Sequence, residues 1–167
     1  SGMLAGAAKE AGVATEMGNQ GHSTDGIRLI CEWIWDGAIG EIREVDAWCS
    51  LSYYPWGHAG WSSKWGTRPT DTPAVPASLN WDLWLGPAPV RPYHPAYHPA
   101  VWRCWWDFGV GMMGDRGAHT LDAAVWALKL GPPKSIEATS CGLNPDTHLL
   151  SAIVTYRFPA RENLPPL

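Results

Sequence analysis

No proline precedes Pro55, and the stretch from Pro55 to Pro99 then carries most of the fifteen in the chain. Proline lacks an amide donor and fixes φ, so it ends helices and is excluded from central strands. Tyr53 to Ser78 and Gly86 to Pro99 are therefore read as long loops, with regular structure confined to their flanks and to one short turn between them. The loops and their borders also hold many of the twelve tryptophans, among them Trp56, Trp61, Trp65, Trp102, Trp105 and Trp106. Indoles at this density imply packed aromatic surface in a core or subunit contact, or stacking faces for the C–H side of a sugar. Loops this long inside a domain usually carry function.

The flanks read as follows. Met3 to Glu10 is helix-forming, with Gly12 where a C′ glycine belongs, and Val13 to Met17 reads as a short strand. Ser23 can cap a helix with Asp25 in its first turn and an apolar stripe of Ile27, Ile30, Cys31, Ile34 and Ala38, ended by Gly37 or Gly40. Glu41 to Ser52 alternates as a strand. Asn80 can cap a single turn, Trp81 to Leu85. Gly114 to Lys129 is a strong helix ended near Gly131 and Pro132-Pro133, with Ala118, Leu121, Val125 and Leu128 as its buried stripe. Lys134 to Cys141 is a strand, and Asn144-Pro145-Asp146 turns into another that alternates through Leu150, Ala152, Val154, Tyr156 and Phe158. The order predicts an α+β fold: a mostly antiparallel sheet with helices on one face. An opening helix and strand, with no earlier strand to join, further predict the tail of an α/β unit over residues 1–20, followed by most of another domain over 21–167.

Composition narrows the function classes. The 167 residues carry a net charge of −4, with 46% hydrophobic and 17% charged side chains. That composition excludes a disordered tail and disfavours electrostatic partners such as nucleic acid or an anionic membrane. No apolar run approaches the roughly 18 residues of a membrane span. Cys31, Cys49, Cys104 and Cys141 form no CxxC pair, which argues against a zinc ribbon or disulfide scaffold and favours a reducing compartment. No metal site is expected.

The chemistry-bearing residues gather on the second strong helix. Asp115 and His119 are four apart and Asp122 three further on, so all three share a helix face. A carboxylate beside an imidazole fixes its tautomer and raises its basicity, which suits a general base; the same spacing also describes an ordinary surface pair. Asp115 is placed in the first helical turn, where the macrodipole favours its anion. Gly109 to Gly114 spells GxGxxG before a helix, but Trp102 to Phe108 is too bulky and charged for the buried strand that a dinucleotide site needs. Glycines turning a loop tightly into the helix are the better reading. His94 and His98 are separated by prolines that forbid a shared helix face, so they suit a rigid loop presenting His and Tyr to a polar ligand better than a metal site. Asn19, Gln20 and His22 lie where a strand end meets a helix start, which is either a ligand-facing position or a capped turn.

Asn19-Gln20-Gly21-His22, Asn80 to Pro87 (NWDLWLGP), Arg91 to Pro95 (RPYHP) and Gly114 to Asp122 (GDRGAHTLD) together resemble the Gfo/Idh/MocA oxidoreductases, over nearly the whole chain. The resemblance implies an N-terminal Rossmann domain binding NAD or NADP and a C-terminal α+β domain whose sheet forms the substrate cleft and a homo-oligomer interface. It implies that His119 removes the proton of a sugar or cyclitol hydroxyl while the carbon gives hydride to nicotinamide, with Asp115 orienting the imidazole. His22, His94, His98, Trp106 and Asp122 would contact substrate, and Asn19 and Gln20 the cofactor. The family's Glu-Lys-Pro motif, whose lysine usually completes the site, and its phosphate-binding glycine loop are absent from these residues, so the chain alone is expected to be inactive and not to bind NAD. Two alternatives stand beside dehydrogenation: a redox-neutral glycoside hydrolase using tightly held NAD, and a non-catalytic binding or oligomerisation module. A cytoplasmic location is favoured, with the periplasm open if an export signal lies upstream.

Overall fold

A computed structural model of the chain describes residues 2–16, 18–49, 65–161 and 165–167. Among them are helices α1 (Gly2–Ala11), α2 (Asp25–Trp35), α3 (Trp81–Leu85), α4 (Gly111–Thr120) and α5 (Asp122–Ala127), a 3₁₀ turn (Val101–Cys104), and strands β1 (Ser135–Cys141) and β2 (Ser151–Arg157). The α+β class expected from the order of elements is the class observed.

Local chemistry sets several boundaries. Gly12 closes α1 at φ 63°, with the amides of Val13 and Gly12 returning to the carbonyls of Ala8 and Lys9, a Schellman end. Asn80 caps α3 by accepting a hydrogen bond from the Leu83 amide at 3.0 Å. Asn144 Oδ1 accepts from the amides of Asp146 and Thr147 at 2.9 and 2.8 Å, the side-chain turn that reverses the chain between the strands. The strands pair antiparallel from Ser135↔Arg157 to Cys141↔Ser151. Val154, Tyr156 and Phe158 are the better-covered positions, as the period-two reading requires.

Other expectations are corrected. Residues 13–16 and 41–49 form no strand, and Met17 and 50–52 lie outside the described residues. A strand needs a partner edge, and none of the described elements offers one to either segment. Thr24, not Ser23, precedes α2, and its hydroxyl donates to the Gly21 carbonyl at 2.7 Å instead of capping the helix. The long helix begins at Gly111, three residues earlier than expected, and is interrupted at Leu121. Its path still continues, because the Leu121 amide reaches the Gly117 carbonyl and the Val125 amide reaches that of Leu121. Its covered side is Gly117, Ala127 and Leu128, while Ala118 and Val125 are exposed, because this side meets α2 around buried Cys31.

The main core is built from the loops. Trp81, Leu85, Ala96, Tyr97, Cys104 and Trp105 are buried together, with Trp65, Trp84, Tyr93, Phe108 and Met112 packed on them. Two indole N–H groups are satisfied inside this aromatic knot: Trp105 donates to the Ala96 carbonyl and Trp81 to that of Arg91, each at 2.7 Å. The segment around Trp105 pairs with Thr147, and the His148 amide donates to the Cys104 carbonyl at 2.7 Å, tying the knot to the approach to β2.

Candidate functional site

The helix α4 carries Asp115 and His119 one turn apart, but no hydrogen bond joins them. Asp115 Oδ2 instead accepts from Arg103 Nε at 3.0 Å, and the same guanidinium donates to the Ala100 carbonyl and lies 4.6 Å from the Trp102 ring. Because α4 starts at Gly111, Asp115 stands in the second turn, where the macrodipole is weak, and an arginine supplies the positive charge in its place. His119 is half-buried and takes no hydrogen bond from a described residue.

Asp122, at the start of α5, pairs across a hundred residues with His22: Nδ1 lies 2.8 Å from Oδ2 and 3.0 Å from Oδ1. The imidazole stacks on Trp126, with centroids 4.6 Å apart. Two residues read separately in the sequence therefore form one unit that joins the loop before α2 to α5. The aspartate and Trp126 are four apart, so helical spacing could have found this platform. Asp122 also contributes, after burial itself, to pushing the Cys31 thiol above its ordinary pKa.

The remaining candidates separate. His94 is 4% exposed; its Nδ1 accepts from the Ala96 amide at 3.0 Å and its Nε2 lies 3.3 Å from Asp71. Both ring nitrogens have partners, one a backbone amide and the other the exposed carboxylate of Asp71, so the buried imidazole helps to fix its loop. His98 sits edge-on to Trp84 at 5.6 Å and takes no hydrogen bond from a described residue. Trp106 is partly exposed and lies against His148, 3.7 Å between centroids, while His148 Nε2 contacts the Gly109 carbonyl at 3.1 Å. Asn19 is half-buried, with its carbonyl accepting from the His22 amide, and Gln20 is exposed. Sequence reading missed Arg103, His148 and Trp126, the partners that hold Asp115, Trp106 and His22.

The glycine run is filled by protein. A Cβ at Gly109 would stand 2.4 Å from the Arg103 carbonyl oxygen, one at Gly114 would stand 2.3 Å from Val110, and Gly111, at φ 62°, has the His148 ring against it. These glycines let the chain turn tightly into α4 and leave no cradle for pyrophosphate. Among the described residues, no group of three or more His, Cys, Asp or Glu could hold a metal.

Residues 49–158 match the family described as the oxidoreductase family, C-terminal alpha/beta domain, about two thirds of the chain. The chain belongs to the Gfo/Idh/MocA oxidoreductase family. No curated protein matches it. The Gfo/Idh/MocA match covers the aromatic knot, the helix bearing His119 and both strands, but of the described residues before Ser50 it takes in only Cys49. No described helix is long and apolar enough to cross a membrane.

Proposed function

We propose that this chain is the substrate-side unit of an NAD(P)-dependent oxidoreductase acting on a CH–OH group of a sugar, cyclitol or related polyol. In this reading residues 1–20 belong to the cofactor-binding Rossmann domain, and residues 21–167 to the substrate and oligomer domain. The observation that carries it is His119: a half-buried imidazole on α4, with neither nitrogen hydrogen-bonded among the described residues, in a chain of an oxidoreductase family. A neutral imidazole in that setting can accept a hydroxyl proton. The Asp115–Arg103 pair stiffens the turn of helix below it, so Asp115 acts through helix position unless substrate draws its carboxylate toward His119. The Rossmann domain would hold the nucleotide, with Asn19 and Gln20 of this chain reaching it. Among the described residues the β1–β2 ladder has open edges, with Ile136 and Ile153 exposed, which supports self-association through the sheet.

The test is His119→Ala in the full polypeptide with its Rossmann domain. Turnover with polyol substrates is expected to fall by about 10²–10⁴-fold, with nucleotide affinity nearly unchanged. Unaltered turnover would reject His119 as the proton acceptor. Product without net NADH would move the reaction to the redox-neutral route.

A further inference from the structure

Between α3 and the 3₁₀ turn lies an open cavity of about 490 Å³ walled by Trp84, Trp102 and Phe108, with Ala88 and Asp107 on its border. His119, Asp115, His22 and Asp122 do not line it. Asp107 is held from behind. Its Oδ2 accepts from Arg91 Nη2 and, at 3.4 Å, from Arg68 Nη2. The Arg91 side chain is 10% exposed, with its guanidinium 5.0 Å from the Phe108 centroid and 5.4 Å from that of Tyr97. Its Nε and Nη1 are buried without an acceptor among the described residues, so its charge is poorly solvated and directed onto Asp107. The second carboxylate oxygen, Oδ1, takes no hydrogen bond from a described residue.

Three aromatic walls beside one rigidly held, half-committed carboxylate fit a pyranose. Its C–H face packs on indole and phenyl rings, and a hydroxyl can donate to Oδ1. An organic cation fits less well, because Arg91 and Arg68 already balance Asp107, and Arg68 is itself balanced by Asp146 at 2.8 Å. We propose that this cavity is a saccharide-binding subsite in which Trp84, Trp102 and Phe108 stack against the sugar and Asp107 accepts a hydroxyl proton in a hydrogen bond. It depends on none of the residues assigned to proton transfer, and its test uses neither nucleotide nor turnover. The two readings can therefore fail separately.

Saturation-transfer NMR on the full chain uses methyl β-D-glucopyranoside as probe, sorbitol as a control with hydroxyls but no ring face, and choline as the cationic competitor. Transfer to the ring protons of the glucoside, and none to sorbitol or choline, is expected. Trp102→Ala removes one wall, and Ala88→Leu fills the border without touching the knot. Each should weaken glucoside binding about tenfold. Circular dichroism checks that each variant folds; should Trp102→Ala unfold, Ala88→Leu decides. No transfer from the wild-type chain at about 50 mM glucoside, equal transfer to sorbitol, preference for choline, or undiminished binding in a folded Ala88→Leu would each overturn the proposal.

Discussion

The aromatic knot and the β1–β2 ladder invert the usual relation between regularity and burial. The ladder has the most regular backbone in the molecule, seven paired residues a side, yet none of its residues is buried. The knot is held largely by loop, a single helical turn and a 3₁₀ turn, yet it buries the largest side chains. Hydrogen-bond regularity organises backbone, while burial follows where apolar surface can be covered on several sides at once. In the knot, prolines stiffen the chain so that aromatic rings meet at centroid distances of about 5 Å, as Trp81 and Trp84 do at 4.8 Å and Tyr97 and Trp105 at 4.9 Å.

Replacing one residue in each region tests the contrast most sharply. Trp105 is fully buried and donates to the Ala96 carbonyl, so Trp105→Ala leaves a cavity and an orphaned acceptor; a loss of about 3–5 kcal/mol is expected in denaturant unfolding. Ile153 in β2 is 74% exposed, and Ile153→Thr should change stability by less than about 0.5 kcal/mol. Comparable losses in the two variants would mean that the ladder is covered in solution, and would support self-association through it.

A second test asks how tightly the knot is fastened to α4. Gly109 abuts the Arg103 backbone, and Arg103 in turn holds Asp115. A methyl group at 109 would force the backbone to shift, so Gly109→Ala is expected to cost about 1–3 kcal/mol. The same change would have little effect if the glycine run were a solvent-facing phosphate loop. A stability within about 0.5 kcal/mol of the parent would reopen that reading.

These contrasts also explain what could be read in advance. The capped turn at Asn80, the Gly12 helix end and the turn at Asn144 were legible because donor and acceptor lie within a few residues of each other. The strand expected from Glu41 to Ser52 was not, over its described residues 41–49, because alternation describes a strand's faces and says nothing about whether an edge is available to pair. The site divides in the same way. Placing Asp115, His119 and Asp122 along one helical path needed only spacing. The partners of the two aspartates needed the fold: Arg103 comes from an aperiodic segment, and His22 lies a hundred residues away. His94 misled for the opposite reason, since a histidine among prolines and tyrosines looks presented, and only packing shows it sealed with both nitrogens used.

The smallest effect concerns the α2–α5 contact, which lies outside both regions and decides whether the knot is the sole buried unit. Cys31 is fully buried there, and burial first, then the charges of Asp122 and Glu32, pushes its thiol above the ordinary value of 9.0. The folded state therefore prefers the neutral thiol. Its contribution is fully present below the pKa of the unfolded chain and is lost as pH rises through the folded value, because unfolding then releases the proton that the fold retains. Stability should decline as pH climbs above about 9, and Cys31→Ser should flatten that decline. In native protein, exposed Cys49 and Cys141 should react quickly with a thiol reagent while Cys31 and Cys104 react slowly. Three fast thiols, with Cys31 among them, would show the α2–α5 contact opening on its own and leave the knot as the only cooperative core.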